Sequence, residues 1–347
     1  MEFKLDEKTV ASMEHEEVAT HVDAESGYRG IIAIHNTRLG MAIGGTRYWT
    51  YANDDAAMLD ALRLSRGMTY KCAMAGLPLG GGKAVLIKQG EPKSREEFFR
   101  IHGRFVNRFG GRFLTAEDVG TTPDDMDIVR GETRYVAGLT SASGDPSPWT
   151  ARGVARAIMA AAKKVWGPIS LAGKVVAIQG CGNTGRYLAY ELRALGADII
   201  VSDIDADKAN QLSKVVHGVV VSPEAICDQE ADIFSPCALG GVLGKETIGR
   251  LRCSIVAGTA NNPLGNDSDA DTLHERDILY VPDYVINAGG VINGCREMLG
   301  WTPAHSSERI DAIYDVAEKI IQDAAHSGRT PLAVANETVR NILNGTS

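Results

Sequence analysis

The stretch "KVVAIQGCGNTGRYLAYELRALGADIIVSDID" (174–205) places the strongest constraint on how this chain can fold. Its first apolar run, "VVAIQ", leads straight into Gly180, Gly182 and Gly185, spaced G-x-G-x-x-G, and then into a segment of helical character. A second apolar run closes on Asp203, about two dozen residues after the first glycine. Strand, glycine turn, helix and strand are the context that makes this motif specific. The glycines permit a tight turn and close backbone approach, so a pyrophosphate can rest on the helix N-terminus, where unpaired N–H groups point outward. With the intervening Cys181, Asn183 and Thr184 they make a cofactor-binding turn; the alternative is that the glycines only let helix and sheet pack closely. Asp203 can accept hydrogen bonds from an adenosine ribose, and its charge repels a 2′-phosphate. Ile204, Asp205 and Ala206 supply no compensating arginine, so NAD is expected over NADP.

The rest of the chain alternates in the same manner. "YRGIIAIHNT" (28–37) reads as a strand and "NDDAAMLDALRLSRGMTYK" (53–71) as a helix, capped by Asn53 or Asp54, with Met58, Ala61, Leu62, Ser65 and Met68 along one face. That helix delivers Lys71 at its end. "KAVLIK" (83–88) reads as a short buried strand, "SREEFFRIHGRFVNRFG" (94–110) as a second helix, and "RFLTAEDVG" (112–120) as a strand running into a polar turn. Ser, Gly and Pro cluster in "TSASGDPSPWTARG" as in a linker, which puts a domain boundary after residue 142. Beyond it come a helix, the glycine turn, and three apolar runs, "ADIFSPCA", "CSIVAGTAN" and "ILYVPDYVIN", each passing into small or polar residues. "SSERIDAIYDVAEKIIQDAAHSG" is a long amphipathic helix with Ile310, Ile313, Tyr314, Ala317 and Ile321 on one face. Strands alternating with helical connections imply an α/β fold, a mostly parallel sheet with helices on both faces.

A chain of 347 residues, 44% apolar and 23% charged, suits two ordinary domains. A formal net charge of -8 and the lack of any Lys/Arg block argue against a surface that neutralises phosphates, so no nucleic-acid partner is expected. "MEFKLDEKTVASMEHEE" lacks the apolar core of a signal peptide, and no later stretch approaches the roughly 18 apolar residues of a membrane span. A cytoplasmic protein without a membrane partner is expected. Six cysteines scatter without a C-x-x-C pair and read as reduced, mostly buried thiols. His15 and His21 are six apart, not the four of H-E-x-x-H, and read as surface histidines. No metal is expected.

A second stretch, "LPLGGGKAVLI" (77–87), holds one lysine after three glycines. It is not a phosphate loop: counting back from Gly82, the required first glycine falls on Leu77, Ala84 replaces the magnesium-binding hydroxyl, and a strand follows. Lys71 and Lys83 flank "CAMAGLPLGGG", which could fold back and bring the two together. Neighbouring ammonium groups in a partly dry cleft disfavour each other's protonation, moving one lysine down toward the range useful for acid–base work. Asp118, in "TAEDVG" at a strand end, would supply a carboxylate. Two solvated surface lysines are the open alternative.

"RLSRGMTYKCAMAGLPLGGGKAVLI", "LTAEDVGTTPDDMD", "SGDPSPWTARGV", "GCGNTG", "SPCALGGVL", "AGTANNPL" and "PDYVINAGGVING" resemble, in order, the motifs of the amino-acid dehydrogenase family that includes glutamate, leucine, phenylalanine and valine dehydrogenases. The resemblance spans roughly residues 28–300. It implies a substrate-binding and oligomerisation domain over 1–142, joined by the C-terminal helices at about 328–347, and a Rossmann-type NAD-binding domain over 143–327, with a cleft between them. It implies oxidative deamination of an L-amino acid to the 2-oxo acid and ammonia, and a homo-oligomer. Under the resemblance, Lys71 binds the substrate carboxylate with help from the backbone of Gly44 and Gly45. Lys83 activates the water that attacks the iminium carbon, and Asp118 shuttles protons to and from the amine. Thr150 holds the nicotinamide carboxamide, and Asn261, Asn262 and Asn287 line the nicotinamide and amine region. Ala116 and Val291 join the substrate-binding residues.

Glutamate-specific members place a lysine just before the "GGxR" turn, where this chain has Ile43, so an apolar substrate side chain is implied. Leucine-type members commonly carry valine where this chain has Gly294, and "REMLGW" is similar to the phenylalanine enzymes. A wider pocket, with activity on branched-chain and aromatic substrates including phenylalanine or tryptophan, follows. Two rival functions are weaker. A hydroxy-acid dehydrogenase normally relies on a His paired with a carboxylate, and no such motif is present; a nucleotide-binding regulator without activity would not need Lys71, Lys83 and Asp118 together.

Overall fold

The computed structural model describes residues 13–138, 144–167, 170–296 and 298–346. Contacts divide the chain into two units, one ending at Gly144 and one starting at Asp145. The boundary expected after residue 142 falls outside the described residues.

The first unit runs β1 (Glu17–Asp23), β2 (Tyr28–Asn36), β3 (Ala42–Trp49), α1 (Asp54–Met74), β4 (Gly80–Ile87), α2 (Arg95–Asn107), β5 (Phe113–Glu117) and α3 (Pro123–Arg130). Its sheet has the order β1-β2-β4-β3-β5. β3 lies parallel to β4 and β5, whereas β2 is antiparallel to both β1 and β4. The sheet of this unit is therefore mixed. Only residues 24–27 connect β1 to β2, with Gly27 at φ +74 and Asp23 accepting from the Ser26 N–H at 2.9 Å. So short a link makes a hairpin and cannot make a crossover.

The run "IIAI" in β2 is continuously apolar because both sheet faces are covered. Ile32 and Ile34 pack with Leu86 and with Phe98, Phe99 and Phe105 of α2. Ile31 and Ala33 pack with Val85 and with Ala57, Ala61 and Leu62 of α1 on the other side. Asn53 caps α1, accepting from the Ala56 N–H at 2.8 Å. His15 and His21, expected at the surface, are partly buried: His15 bonds Ser65 at 2.8 Å, and the His21 ring lies against Tyr28 and Phe105. Neighbouring residues draw them in, Met13 and Val18 packing on one core of the unit and Ala19 on the other.

The second unit runs α4 (Ser147–Trp166), β6 (Val175–Gln179), α5 (Asn183–Ala194), β7 (Asp198–Ser202), α6 (Ala206–Val216), β8 (Val219–Val220), β9 (Ile233–Pro236), α7 (Lys245–Arg250), β10 (Ile255–Val256), α8 (Asp269–Glu275), β11 (Leu279–Tyr280), α9 (Asp283–Ile286), α10 (Gly289–Gly294), α11 (Pro303–Asp311), α12 (Ile313–Ser327) and α13 (Pro331–Asn344). Its sheet is parallel throughout, in the order β8-β7-β6-β9-β10-β11. The chain thus winds one way from β6 to β8 and the other way from β9 to β11. The crevice between β6 and β9 is the switch point at which such sheets take ligands. α13 belongs to this unit, not to the first as expected. Its buried Leu332, Val334, Ala335 and Val339 find their cover beside α12 and β11, and Tyr284 donates to Asn336 at 2.7 Å.

Candidate active site

Two strands of the first unit bring charged groups to Asp118, just past β5, and a helix braces one of them. Lys83, in the middle of β4, is 5% exposed, and its Nζ lies 2.6 Å from Asp118 Oδ2. Arg47, on β3, donates from Nε to the same oxygen at 3.1 Å and from Nη1 to Asp60 Oδ2 of α1 at 3.0 Å. Tyr51 donates its hydroxyl to that Asp60 oxygen at 2.6 Å. Thr121 closes the turn by accepting from the Asp118 N–H at 2.9 Å.

Burial disfavours the Lys83 ammonium and brings its pKa down from the usual lysine value; Asp118 opposes this and Arg47 adds to it. Burial alone would raise the Asp118 carboxyl, but Lys83 and Arg47 outweigh it and hold it well below the usual carboxylate range. Burial is thus the first cause of the loosening of Lys83, and Arg47 is a cation that adds to it. Lys71 stands partly buried in the last turn of α1. Arg47, Asp60 and Tyr51 were not singled out from the sequence, although an arginine in a strand as buried as "AIGGTRYW" was a usable signal.

The glycines of this region serve close packing. Gly80, Gly81 and Gly82 open β4 and do not precede it, so the strand starts three residues earlier than expected. A Cβ on Gly81 would meet the Thr69 nitrogen of α1 at 2.0 Å, and one on Gly82 would meet the Phe113 ring at 2.7 Å. A Cβ on Gly44 would meet the Gly82 carbonyl at 1.8 Å, and one on Gly45 the Glu117 carbonyl at 2.7 Å. Ile43 is buried in β3 beside Gly81 and Leu114, and Ala116 pairs with Gly45.

In the second unit the glycine turn lies at the β6/β9 switch. Gly180 takes φ +104, and a Cβ on Gly185 would meet the Gly180 carbonyl at 2.0 Å. Gly182 is different: nothing lies within 4 Å of the space a Cβ would take, and it starts α5 with no side-chain cap. An open glycine at an uncapped helix N-terminus fits the pyrophosphate of a dinucleotide. Asn183 is exposed beside it, and Thr184 accepts from Thr259 at 2.9 Å. Asp203 fastens the turn, accepting from the Cys181 N–H at 2.6 Å and the Asp205 N–H at 2.8 Å. Burial pushes the Cys181 thiol up to about 12, with Asp203 adding to the effect, so it stays a neutral packing group.

The remaining predicted residues gather around α9 and α10. Thr150 of α4 lies over the start of α10, where its Oγ1 would be 2.6 Å from a Cβ on Gly290. Asn287 donates to Asn261 Oδ1 at 3.0 Å and is 3% exposed, while its own Oδ1 is buried without a protein partner. An amide hydrogen of a ligand would satisfy that oxygen. Asn262 sits at φ +48, its N–H held at 2.9 Å by Asp283, which also accepts from Tyr280 at 3.2 Å. Asp283 and Tyr280 are two more residues the sequence did not reveal. On α10, Val291 is partly buried and Gly294 is exposed, with nothing within 4 Å of a Cβ built there.

Two family models match the chain: the dimerisation domain of Glu/Leu/Phe/Val dehydrogenase over residues 13–135, and Glutamate/Leucine/Phenylalanine/Valine dehydrogenase over residues 201–340. A leucine dehydrogenase of Thermoactinomyces intermedius is 49% identical over 318 residues, which cover 91% of this chain and 87% of the relative. A valine dehydrogenase of Streptomyces albus is 42% identical over 332 residues, covering 93% and 90%. The crystal structure of L-tryptophan dehydrogenase from Nostoc punctiforme superposes with a TM-score of 0.81 at 42% identity, over 98% of both chains.

Proposed function

The chain belongs to the Glu/Leu/Phe/Val dehydrogenase family, and on that premise we infer how its residues carry out the oxidative deamination of an apolar L-amino acid. It is an oxidoreductase that converts the amino acid to the 2-oxo acid and ammonia with NAD(P). The observation that carries the reading is the buried Lys83–Asp118 contact at 2.6 Å, with a lysine whose ammonium is disfavoured and a carboxylate held anionic.

The bound nicotinamide supplies a hydride acceptor for the substrate α-carbon. Lys71 holds the substrate carboxylate as a point charge. The Asp118 carboxylate takes a proton from the substrate ammonium, which leaves the neutral amine needed for hydride departure, and returns it to the nitrogen that leaves as ammonia; Lys83, its immediate neighbour, stays neutral through these transfers. Neutral Lys83 then takes the proton of the water that attacks the iminium carbon, and as an ammonium it stabilises the carbinolamine oxygen. Gly180 to Gly185 hold the pyrophosphate, Asp203 the adenosine ribose, and Thr150, Asn261, Asn262 and Asn287 the nicotinamide end. Asp203, with the Asp205 carboxylate close by, favours NAD over NADP.

Ile43, standing where glutamate-specific relatives carry lysine, supports an apolar side chain. The open space at Gly294 supports a second reading in which aromatic substrates are also accepted. Six free cysteines suit a reducing compartment, in keeping with a cytoplasmic enzyme. Among the described residues no helix is long and apolar enough to cross a membrane. The match of the first unit to a dimerisation-domain model supports a homo-oligomer.

One kinetic panel tests the whole reading: reduced cofactor formed from leucine, valine, phenylalanine, tryptophan and glutamate, with NAD and with NADP, for the wild type and Lys83→Ala. The apolar substrates and NAD should win, and a clear preference for glutamate would sink the substrate class. Lys83→Ala should lose on the order of 10²–10⁴-fold in turnover while still binding NAD. Unchanged turnover would refute the role of Lys83.

A further inference from the structure

We propose that Arg47 is a positioning residue for proton transfer: clamped by Asp60 and Tyr51, it locks Asp118 against Lys83 and keeps that carboxylate anionic. The inference rests on the reading of Lys83 as the base and deepens it, since that scheme gives neither Arg47 nor Asp60 a contact with substrate or cofactor, and Arg47 acts through Asp118.

The geometry is specific. Arg47 spans two carboxylates through two different nitrogens, Nε to Asp118 at 3.1 Å and Nη1 to Asp60 at 3.0 Å. The Asp60 oxygen that takes Nη1 also takes the Tyr51 hydroxyl at 2.6 Å, so the anchor is itself anchored. Arg47 and Lys83 meet at one atom, Asp118 Oδ2, so the position of the guanidinium determines where that oxygen sits. Only 16% of the Arg47 side chain and 7% of the Lys83 side chain are exposed, and charges so shielded act on one another more strongly than they would in water. A planar, permanently charged fork suits this task, which a lysine could fulfil at one carboxylate but not at both.

The charged groups that act most on Lys83 among the described residues are Asp118 beyond β5, Arg47 on β3 and Asp60 on α1; after burial, Asp118 and Asp60 favour its ammonium and Arg47 disfavours it. Tyr51, beside Asp60, has its hydroxyl pushed far above the ordinary tyrosine value, by burial first, and stays neutral. Removing the Arg47 cation should therefore make Lys83 harder to deprotonate, and removing the Asp60 anion should make it easier.

Oxidative deamination requires neutral Lys83, so kcat/KM rises with pH as Lys83 loses its proton. In Arg47→Met that rising limb should move to higher pH, and kcat at neutral pH should fall on the order of ten- to a hundredfold. In Asp60→Asn the limb should move to lower pH. Arg47→Lys keeps the charge without the two-sided grip, so its limb should stay nearer the wild type while kcat remains reduced. The amine of the substrate titrates alike in all three, so differences between profiles report the protein. Both limbs unmoved, or both moved in one direction, would overturn the proposal. Should Arg47→Met fail to fold, Asp60→Asn and Arg47→Lys decide it by the same criteria. Lys83→Ala separates the two levels. If it retains turnover, the reading of the base has failed; if it is inactive and the Arg47 and Asp60 profiles match the wild type, only the present inference has.

Discussion

Gly182 and Gly185 lie three residues apart and act in opposite senses. Gly182 has φ -66, a value any residue can adopt, and open space where a Cβ would project. Alanine there should leave the fold intact and intrude on whatever approaches the helix N-terminus. Gly185 faces the Gly180 carbonyl, a backbone atom that cannot step aside from a Cβ 2.0 Å away. Gly182→Ala should raise KM for NAD with little change in melting temperature, whereas Gly185→Ala should cost about 1–3 kcal/mol of stability. Thermal melts and NAD titrations of both variants check this, and equal losses of stability would contradict the division of labour. The spacing of the glycines was legible in the sequence because turn, helix start and Asp203 all lie within one strand–helix–strand unit. Which glycine faces solvent and which faces backbone was not.

The strand β4 shows why an element can be misjudged. Glycine is depleted in strands, so "GGG" suggests a turn and the apolar run after it a strand. The structure carries the strand through all three glycines because α1 lies too close for a side chain, with the Thr69 nitrogen in the place of a Gly81 Cβ. The bare backbone makes room for the protein itself. Gly81→Ala should push α1 away from β4 and destabilise the fold by about 1–3 kcal/mol. Because Thr69 is two residues from Lys71, KM for the amino acid should rise more than KM for NAD. Equal KM effects would show that α1 does not transmit the strain to Lys71. Helix α1 itself was readable almost to its ends, since an Asn cap and an apolar face of helical period are local signals. The edge strand β1 was not, its alternation being weakened by His21 and by residues that are only partly buried.

Across the molecule, buried neutral histidines make stability depend on acid. Burial lowers His35 and His102 to about 3, against about 6.5 for an unfolded histidine. The His102 ring is held between Tyr28 at 2.9 Å and Thr46 at 2.7 Å, and His35 bonds Thr69 at 2.8 Å. Between those two values the unfolded chain binds more protons than the folded one, so stability rises with pH in that window and is lost as pH falls through it. Each histidine contributes up to about 1.4 kcal/mol per pH unit there. Urea midpoints should therefore drop steadily from pH 7 to pH 4.5, and a flat profile would rule the effect out. Both histidines belong to the first unit, so Trp49 fluorescence should report the change, compared with a Trp49→Phe control.

By itself the sequence determined the α/β class, the glycine turn between strand and helix, the main helices and the family, because each depends on residue types within one short segment or on the order of such segments. Only the tertiary structure decided the mixed sheet of the first unit, the place of α13 in the second, and the clamp around Asp118. Arg47 reaches Asp118 across 71 positions of chain, and no local pattern of hydrophobicity, capping or spacing records a partner that distant. Burial decided the rest, since a lysine becomes a base only where the packing of other residues removes its water.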